Sequence, residues 1–200
     1  QLFMVLLACA APVVASYFTY YVIRPEGRSN YSTLIEPARA MPADLQLTTL
    51  GGQAVNSTAL KGQWLLVVVG PAACDDACQT RLYSQRQLRE VTGRERDRID
   101  KLWLVTDKCP IDAQLKTALD AAPPTQMLRA DAQAVGRWLE PAPGESLGAH
   151  LYVVDPYGQW MMRAPADLQP SKFKRDLERL LRASAFWDKA GRGPKGEPAP

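Results

Sequence analysis

"WLLVVVGPAACDDAC", residues 64–78, decides how the chain is read. Six apolar residues in unbroken succession (64–69) suit a strand covered on both faces. Gly70 and Pro71 then punctuate it. Cys74 and Cys78 follow, four apart, where the stretch 75–92, with Leu82, Leu88 and Val91 among polar residues, reads as a helix. Both cysteines therefore fall at or in the start of a helix, just past a buried strand. Partial positive charge at a helix N-terminus stabilises thiolate, the form that attacks a disulfide or binds a metal. Four-residue spacing places both side chains on one helix face, and two thiolates so placed suit a soft ion such as Cu(I). A disulfide needs the Cα atoms within ~4.4–6.8 Å, which a first turn that is not fully helical permits. Asp75 and Asp76, lying between the cysteines, raise thiol pKa and blunt reactivity. The residues leave four readings open: a metal clip, a redox pair, a static staple, or two unpaired buried thiols.

Outward from this stretch, strands and helices alternate. "LQLTTL" (45–50) meets Gly51-Gly52, a hairpin signal. "KLWLV" (101–105) is a second buried strand, and a helix over 112–121 starts at Asp112 as N-cap and stops before Pro123-Pro124. "TQMLR" (125–129) reads as a short strand and 131–140 as a helix. "HLYVVD" (150–155), a Pro-Tyr-Gly turn and "QWMMR" (159–163) make a hairpin. A last helix over 171–184 carries Phe173, Leu177, Leu180 and Leu181 on one face. This order predicts an α/β sandwich with a mixed sheet.

The ends differ in character. Residues 2–23 hold no charge, and 22 such residues suffice to cross a ~30 Å hydrocarbon core. Tyr17, Tyr20 and Tyr21 sit near one end, where amphipathic rings favour the interface. A secretory signal has a shorter apolar region of ~7–15 residues, and Cys9 after "LLA" only faintly suggests lipidation. We therefore expect a transmembrane anchor over 1–24. Residues 25–44, with Pro, Gly, Ser and charge but no periodicity, read as a linker. The folded domain is expected over 45–187. The Pro/Gly/charge-rich end (188–200) cannot bury enough apolar surface to fold and is expected to be a disordered tail. An anchored domain carrying a cysteine pair suits an oxidising compartment, which places it outside the cytoplasm on the inner (plasma) membrane.

The motif "LKGQWLLVVVGPxxC", the C-x-x-x-C spacing, "LWLVTD" (102–107) and "LYVVDPYGQW" (151–160) resemble the thioredoxin-like superfamily, and within it the Sco/SenC branch. The resemblance covers about 45–182. It implies a thioredoxin-like mixed sheet flanked by helices, with an N-terminal transmembrane helix. Members of that branch are membrane-anchored copper-binding or thiol-disulfide proteins that help assemble cytochrome c oxidase. The resemblance thus implies catalytic or metal-binding roles for Cys74 and Cys78, copper as the metal, and a respiratory oxidase subunit or another assembly factor as partner. Copper-binding members place a His nine residues before the hairpin proline. Counting back from Pro156 gives Leu147, while the only histidine is His150, three residues later. An odd offset along a strand turns a side chain to the opposite face, so His150 joins the metal ligands only through a bulge or loop shift. The cis-proline that marks thioredoxin-type reductases would fall at Ala149. Two other readings stand beside the assembly factor: a general thiol-disulfide oxidoreductase of exported proteins, and a non-catalytic thioredoxin-like binding scaffold.

The remaining signals are weaker. Cys109 follows the strand 101–105 and would emerge at the same sheet edge as Cys74 and Cys78, as a ligand or resolving thiol, or else as a small core residue. Residues 81–101 carry seven basic and four acidic side chains, which reads as a solvated helix and loop or as a patch facing anionic lipid or an oxidase subunit. A net charge of +3 does not demand a nucleic-acid partner. One histidine and no ligand cluster argue against zinc.

Overall fold

The computed structural model describes residues 2–19, 21 and 30–185. Two units stand out, one over 1–30 and one over 31–200. The first contains helix α1, Leu2–Phe18, an apolar helix with Pro12 inside it. Among the described residues no helix is long and apolar enough to cross a membrane. Tyr20, Val22 and Ile23 of the apolar run, and the tail over 188–200, lie outside the described residues.

The second unit is built on one eight-stranded mixed sheet. Its strands are β1 (Thr33–Ala40), β2 (Leu47–Thr49), β3 (Ala54–Val55), β4 (Trp64–Gly70), β5 (Ile99–Val105), β6 (Gln126–Ala130), β7 (Leu151–Val154) and β8 (Gln159–Arg163), in the order β1-β8-β7-β4-β5-β6-β2-β3. The apolar run 64–69 is the sheet's centre, and every residue of β4 is buried. It pairs parallel with β5, Val68 beside Trp103 and Gly70 beside Val105, and antiparallel with β7, Val68 beside Leu151. Parallel pairing requires a crossover, which α2 (Asp76–Val91) supplies. The remaining helices are α3 (Ala113–Asp120), α4 (Ala132–Trp138) and α5 (Pro170–Ala183).

Alternation along the central strands divides the core. One face gathers Trp64, Leu66, Val68, Trp103, Val105, Leu151 and Val153 with Cys78, Leu82 and Leu88 of α2 and Phe173, Leu177 and Leu181 of α5. The other gathers Leu65, Val67, Val69, Leu102, Leu104, Tyr152 and Val154 with Val135 and Trp138 of α4. A strand buried on both faces needs apolar residues at every position, which is why 64–69 shows no period of two. The Gly51-Gly52 turn joins β2 to β3, with Gly52 at φ 84°. The hairpin β7–β8 closes on Gly158, φ 85°, with the Asp155 carboxylate accepting from Tyr157 N and Gln159 N.

The linker expected over 25–44 is corrected by the structure from residue 31 onward. Thr33–Ala40 is an edge strand antiparallel to β8, with a register shift between Leu34 and Arg39. Ser32 N donates to a carboxylate oxygen of buried Asp176 on α5 (2.7 Å), and Gln169 N donates to the Tyr31 hydroxyl (2.8 Å). Met41, before the expected domain start, belongs to the core. The strand escapes periodicity analysis because most of its residues are exposed, so it carries no apolar alternation, and an edge tolerates Pro37. The stretch 81–101 is also less solvated than its charge suggests. Arg98 is buried and donates to Leu181 O (3.0 Å) and Ser184 O (3.1 Å), and Lys101 is buried with its ammonium on Pro123 O (2.8 Å). Burial beside Arg86 and Arg89 lowers the Lys101 pKa to about 8.

Candidate functional site

β4 ends on Gly70, and the chain leaves the sheet through Pro71, Ala72 and Ala73 to reach Cys74. Asp75 is extended (φ −69°, ψ 176°) and caps α2: its carboxylate accepts from Cys78 N at 2.8 Å. The acidic pair that separates the cysteines is therefore a helix start, Asp75 as cap and Asp76 in the first turn, where negative charge complements the helix dipole. Gln79 returns from the next turn to donate to Cys74 O (3.1 Å). Because Cys74 stands outside the helix and Cys78 inside it, their Cα atoms come within 5.2 Å, and the two sulfurs form a disulfide. Cys74 is half-buried. Cys78 is 7% exposed and packs on the core face of β4 and β5.

The neighbouring loop, after β5, is tied to this one. Thr106 N donates to Gly70 O (3.0 Å). Both carboxylate oxygens of Asp107 lie 3.2 Å from Ala72 N, and one also accepts from Cys109 N at 3.2 Å. Arg129, on β6, donates to Asp107 O and to Cys109 O (2.9 Å) and stands 4.0 Å from the Asp107 carboxylate. Asp107 and Arg129 thus fasten together the ends of three adjacent parallel strands, including the loop that leads to Cys74. Sequence reasoning missed both. The available signal was an Asp two residues before a backbone amide it could cap, right after a buried strand. Cys109 is a free, exposed thiol at this edge rather than a core residue.

His150 is elsewhere in its bonding. It is fully buried just before β7, with Nδ1 2.8 Å from Ala164 O, and Nε2 accepting from Ala142 N at 3.0 Å. Glu145 reaches to 2.9 Å of Nε2, and the ring meets Tyr152 edge-on at 5.9 Å between centroids. Burial lowers its pKa, against the raising influence of Ala164 O and Glu145. The neutral ring with its proton on Nδ1 satisfies both backbone partners. Leu147, at the position where the resemblance expects histidine, lies in a short 3-10 turn, Leu147–Ala149, and packs with the cluster that holds Tyr152 and Trp138, not the one that holds Cys78. Its carbonyl accepts from the Tyr152 hydroxyl (2.9 Å). The structure therefore joins Cys74 to Cys78 and brings Cys109 to the same edge. Among the described residues no three His, Cys, Asp or Glu side chains gather as a metal-holding group.

No curated protein matches this chain. Among solved structures it is similar to apo Sco1 from Thermus thermophilus, at TM-score 0.55 and 18% identity, covering 79% of this chain and 98% of that one. It is similar to copper-bound yeast Sco1 at TM-score 0.54 and 12% identity, over 76% and 97% of the two chains. A putative electron transfer protein from Aquifex aeolicus VF5 aligns at TM-score 0.53 and 15% identity, over 72% and 94%. At these identities the likeness is one of fold, and that fold is thioredoxin-like. Residues 64–184 match the family described as transmembrane-like, thioredoxin-like, C-terminal domain. That match covers more than half of the chain, from the central strand through the last helix, and the chain belongs to this family.

Proposed function

We propose that the protein is a membrane-anchored, extracytoplasmic thiol-disulfide protein of the Sco/SenC type, acting through Cys74 and Cys78 in the assembly of a respiratory oxidase. The observation that carries the redox part is the asymmetry of the pair: a bridged disulfide at a helix N-terminus, with Cys74 half-buried outside the helix and Cys78 buried inside it. A client thiolate attacks Cys74, the S–S bond breaks, and Cys78 leaves as a thiolate held at the helix start. A second client thiol then attacks the mixed disulfide, so the client gains a disulfide and the chain gains two electrons and two protons. The reverse sequence reduces a client. The uncharged run 2–23 supports the anchor, and the fold likeness to Sco1 structures supports the oxidase setting.

The test is equilibration of the full chain in glutathione buffers, with thiols read by alkylation. A reversible two-electron transition above about −300 mV is expected, since structural disulfides generally lie below that value. A bond that stays closed across the glutathione range would make the pair a staple. A reporter fused after Ala183 should be active only outside the cytoplasm, and activity confined to the cytosol overturns the placement.

A second reading, delivery of Cu(I), rests on the same two sulfurs. Once reduced, they fit a two-coordinate soft ion. They do not fit a three-ligand site with His150, whose two ring nitrogens are both engaged by backbone. Copper would here be cargo. Cu(I) binding measured against a chelator should vanish in Cys74→Ser and change little in His150→Ala. A strong loss in His150→Ala would give the histidine the ligand role.

A further inference from the structure

Trp103 is fully buried in the middle of β5, and its indole N–H has no hydrogen-bond partner among the described residues. A buried donor left unmade costs free energy and calls for an explanation. Its position supplies one. Trp103 lies on the same sheet face as Gly70 and Cys78. A Cβ built on Gly70 would stand 3.8 Å from Cys78 Sγ and 4.0 Å from Trp103 Nε1. The missing methyl of Gly70 therefore leaves a space that both the buried sulfur and the orphan N–H border. Gly70 has no positive φ and ends a strand, so backbone conformation does not require glycine there. In the disulfide, Cys78 Sγ is held toward Cys74. When the bond opens, rotation about the Cys78 Cα–Cβ bond frees the sulfur to turn into that space.

We propose that Trp103 is a redox-tuning residue of the site: its indole N–H donates a hydrogen bond to Cys78 Sγ across the Gly70 space in the reduced protein only. This deepens the thiol-disulfide reading and rests on it. An interaction made by one redox state and not the other shifts the equilibrium between them. It favours the dithiol and makes the disulfide a better oxidant. The balanced reaction is disulfide plus two glutathione thiols giving the Cys74 and Cys78 thiols plus glutathione disulfide, with two electrons and two protons passing to the chain.

The test compares the full chain with Trp103→Phe, Gly70→Ala and the double variant in glutathione buffers, each checked for folding by circular dichroism. Trp103→Phe keeps an aromatic side chain in the core, though a smaller one, and removes the donor. Gly70→Ala places a methyl group at ordinary contact distance from both donor and sulfur, filling the space that the bond would use. Each should lower the equilibrium constant for reduction about tenfold, which is about 30 mV for a two-electron couple. The double variant should add little to either single one. In the unsubstituted protein, the Trp103 indole N–H resonance should move downfield on reduction. This measurement decides the matter if a variant does not fold. Folded single variants with an unaltered equilibrium, additive effects, or an indole resonance indifferent to reduction would overturn the role of Trp103. Those outcomes leave the exchange reaction intact, whereas a disulfide that resists glutathione altogether removes the reading beneath it.

Discussion

His150 shows how a single residue can look functional in sequence and be occupied otherwise in three dimensions. A lone histidine at a strand edge near two cysteines invites a metal. Its ring is instead a strut between Ala142 N and Ala164 O. Neither partner is adjacent in sequence, so no local pattern reveals the bond. Asp75 is the opposite case: it reads as a charge that blunts a thiol and proves to be the cap that starts the helix. The ionisation of His150 has a measurable consequence. Its folded pKa lies below the ordinary 6.5 because burial penalises the cation. Above that value both folded and unfolded chains carry a neutral ring, and the contribution is fully present. As pH falls below it, the unfolded chain takes up a proton first, so stability declines until the folded pKa is passed. Protonation would also exchange the Ala142 N–H for the Glu145 carboxylate as the partner of Nε2. Urea unfolding at about pH 7.5 and about pH 5.5 should show a larger loss in the unsubstituted protein than in His150→Gln. An equal loss in both would assign the decline to other groups.

Elements with strong periodicity were legible in advance, and those without it were not. The last helix announces itself through Phe173, Leu177 and Leu181, all fully buried. The central strands announce themselves through unbroken apolar runs. β1 does not, because an exposed edge strand is defined by its backbone bonds to β8 and not by its side chains. The anchorage of α5 was equally hidden. Arg98, from the turn before β5, donates to the carbonyls of Leu181 and Ser184 at the helix C-terminus, where a cation also complements the dipole. In sequence it is one of seven basic residues in a charged stretch. Arg98→Ala should remove the guanidinium from both carbonyls, leaving Leu181 O only the Ser184 hydroxyl (3.1 Å), and lower stability by about 2–3 kcal/mol. Hydrogen exchange should quicken first in the last turn of α5. A variant as stable as the parent would show that water replaces the guanidinium at no cost.

At the scale of the whole molecule, the two cores decide what the disulfide can be. The sheet is covered on both faces by apolar clusters; one contains neither cysteine, and in the other Cys78 and Cys74 join many larger apolar side chains. The bond closes a loop of sequence separation 4, so its effect on the unfolded chain is small, about 2 kcal/mol. Reduction should therefore leave the domain folded, with near-ultraviolet circular dichroism preserved and a modest fall in melting temperature. Collapse on reduction would identify the bond as a staple. The fastening of the site by Asp107 and Arg129 was not legible in sequence, because it joins two loops and the end of β6 that only the completed sheet brings together.

The sheet's borders have a further consequence. One ends on β1, where Pro37 and charged Glu36 and Arg39 accompany the register shift, and the other on the two-residue β3. Neither offers the long, regular row of free amides and carbonyls on which an extended peptide can add itself as another strand. In the proposed thiol-disulfide role, a client polypeptide would therefore have to be recognised through side chains and loop surfaces around Cys74. Selectivity among such polypeptides then follows from their shape near the reacting sulfur, not from a shared extended backbone.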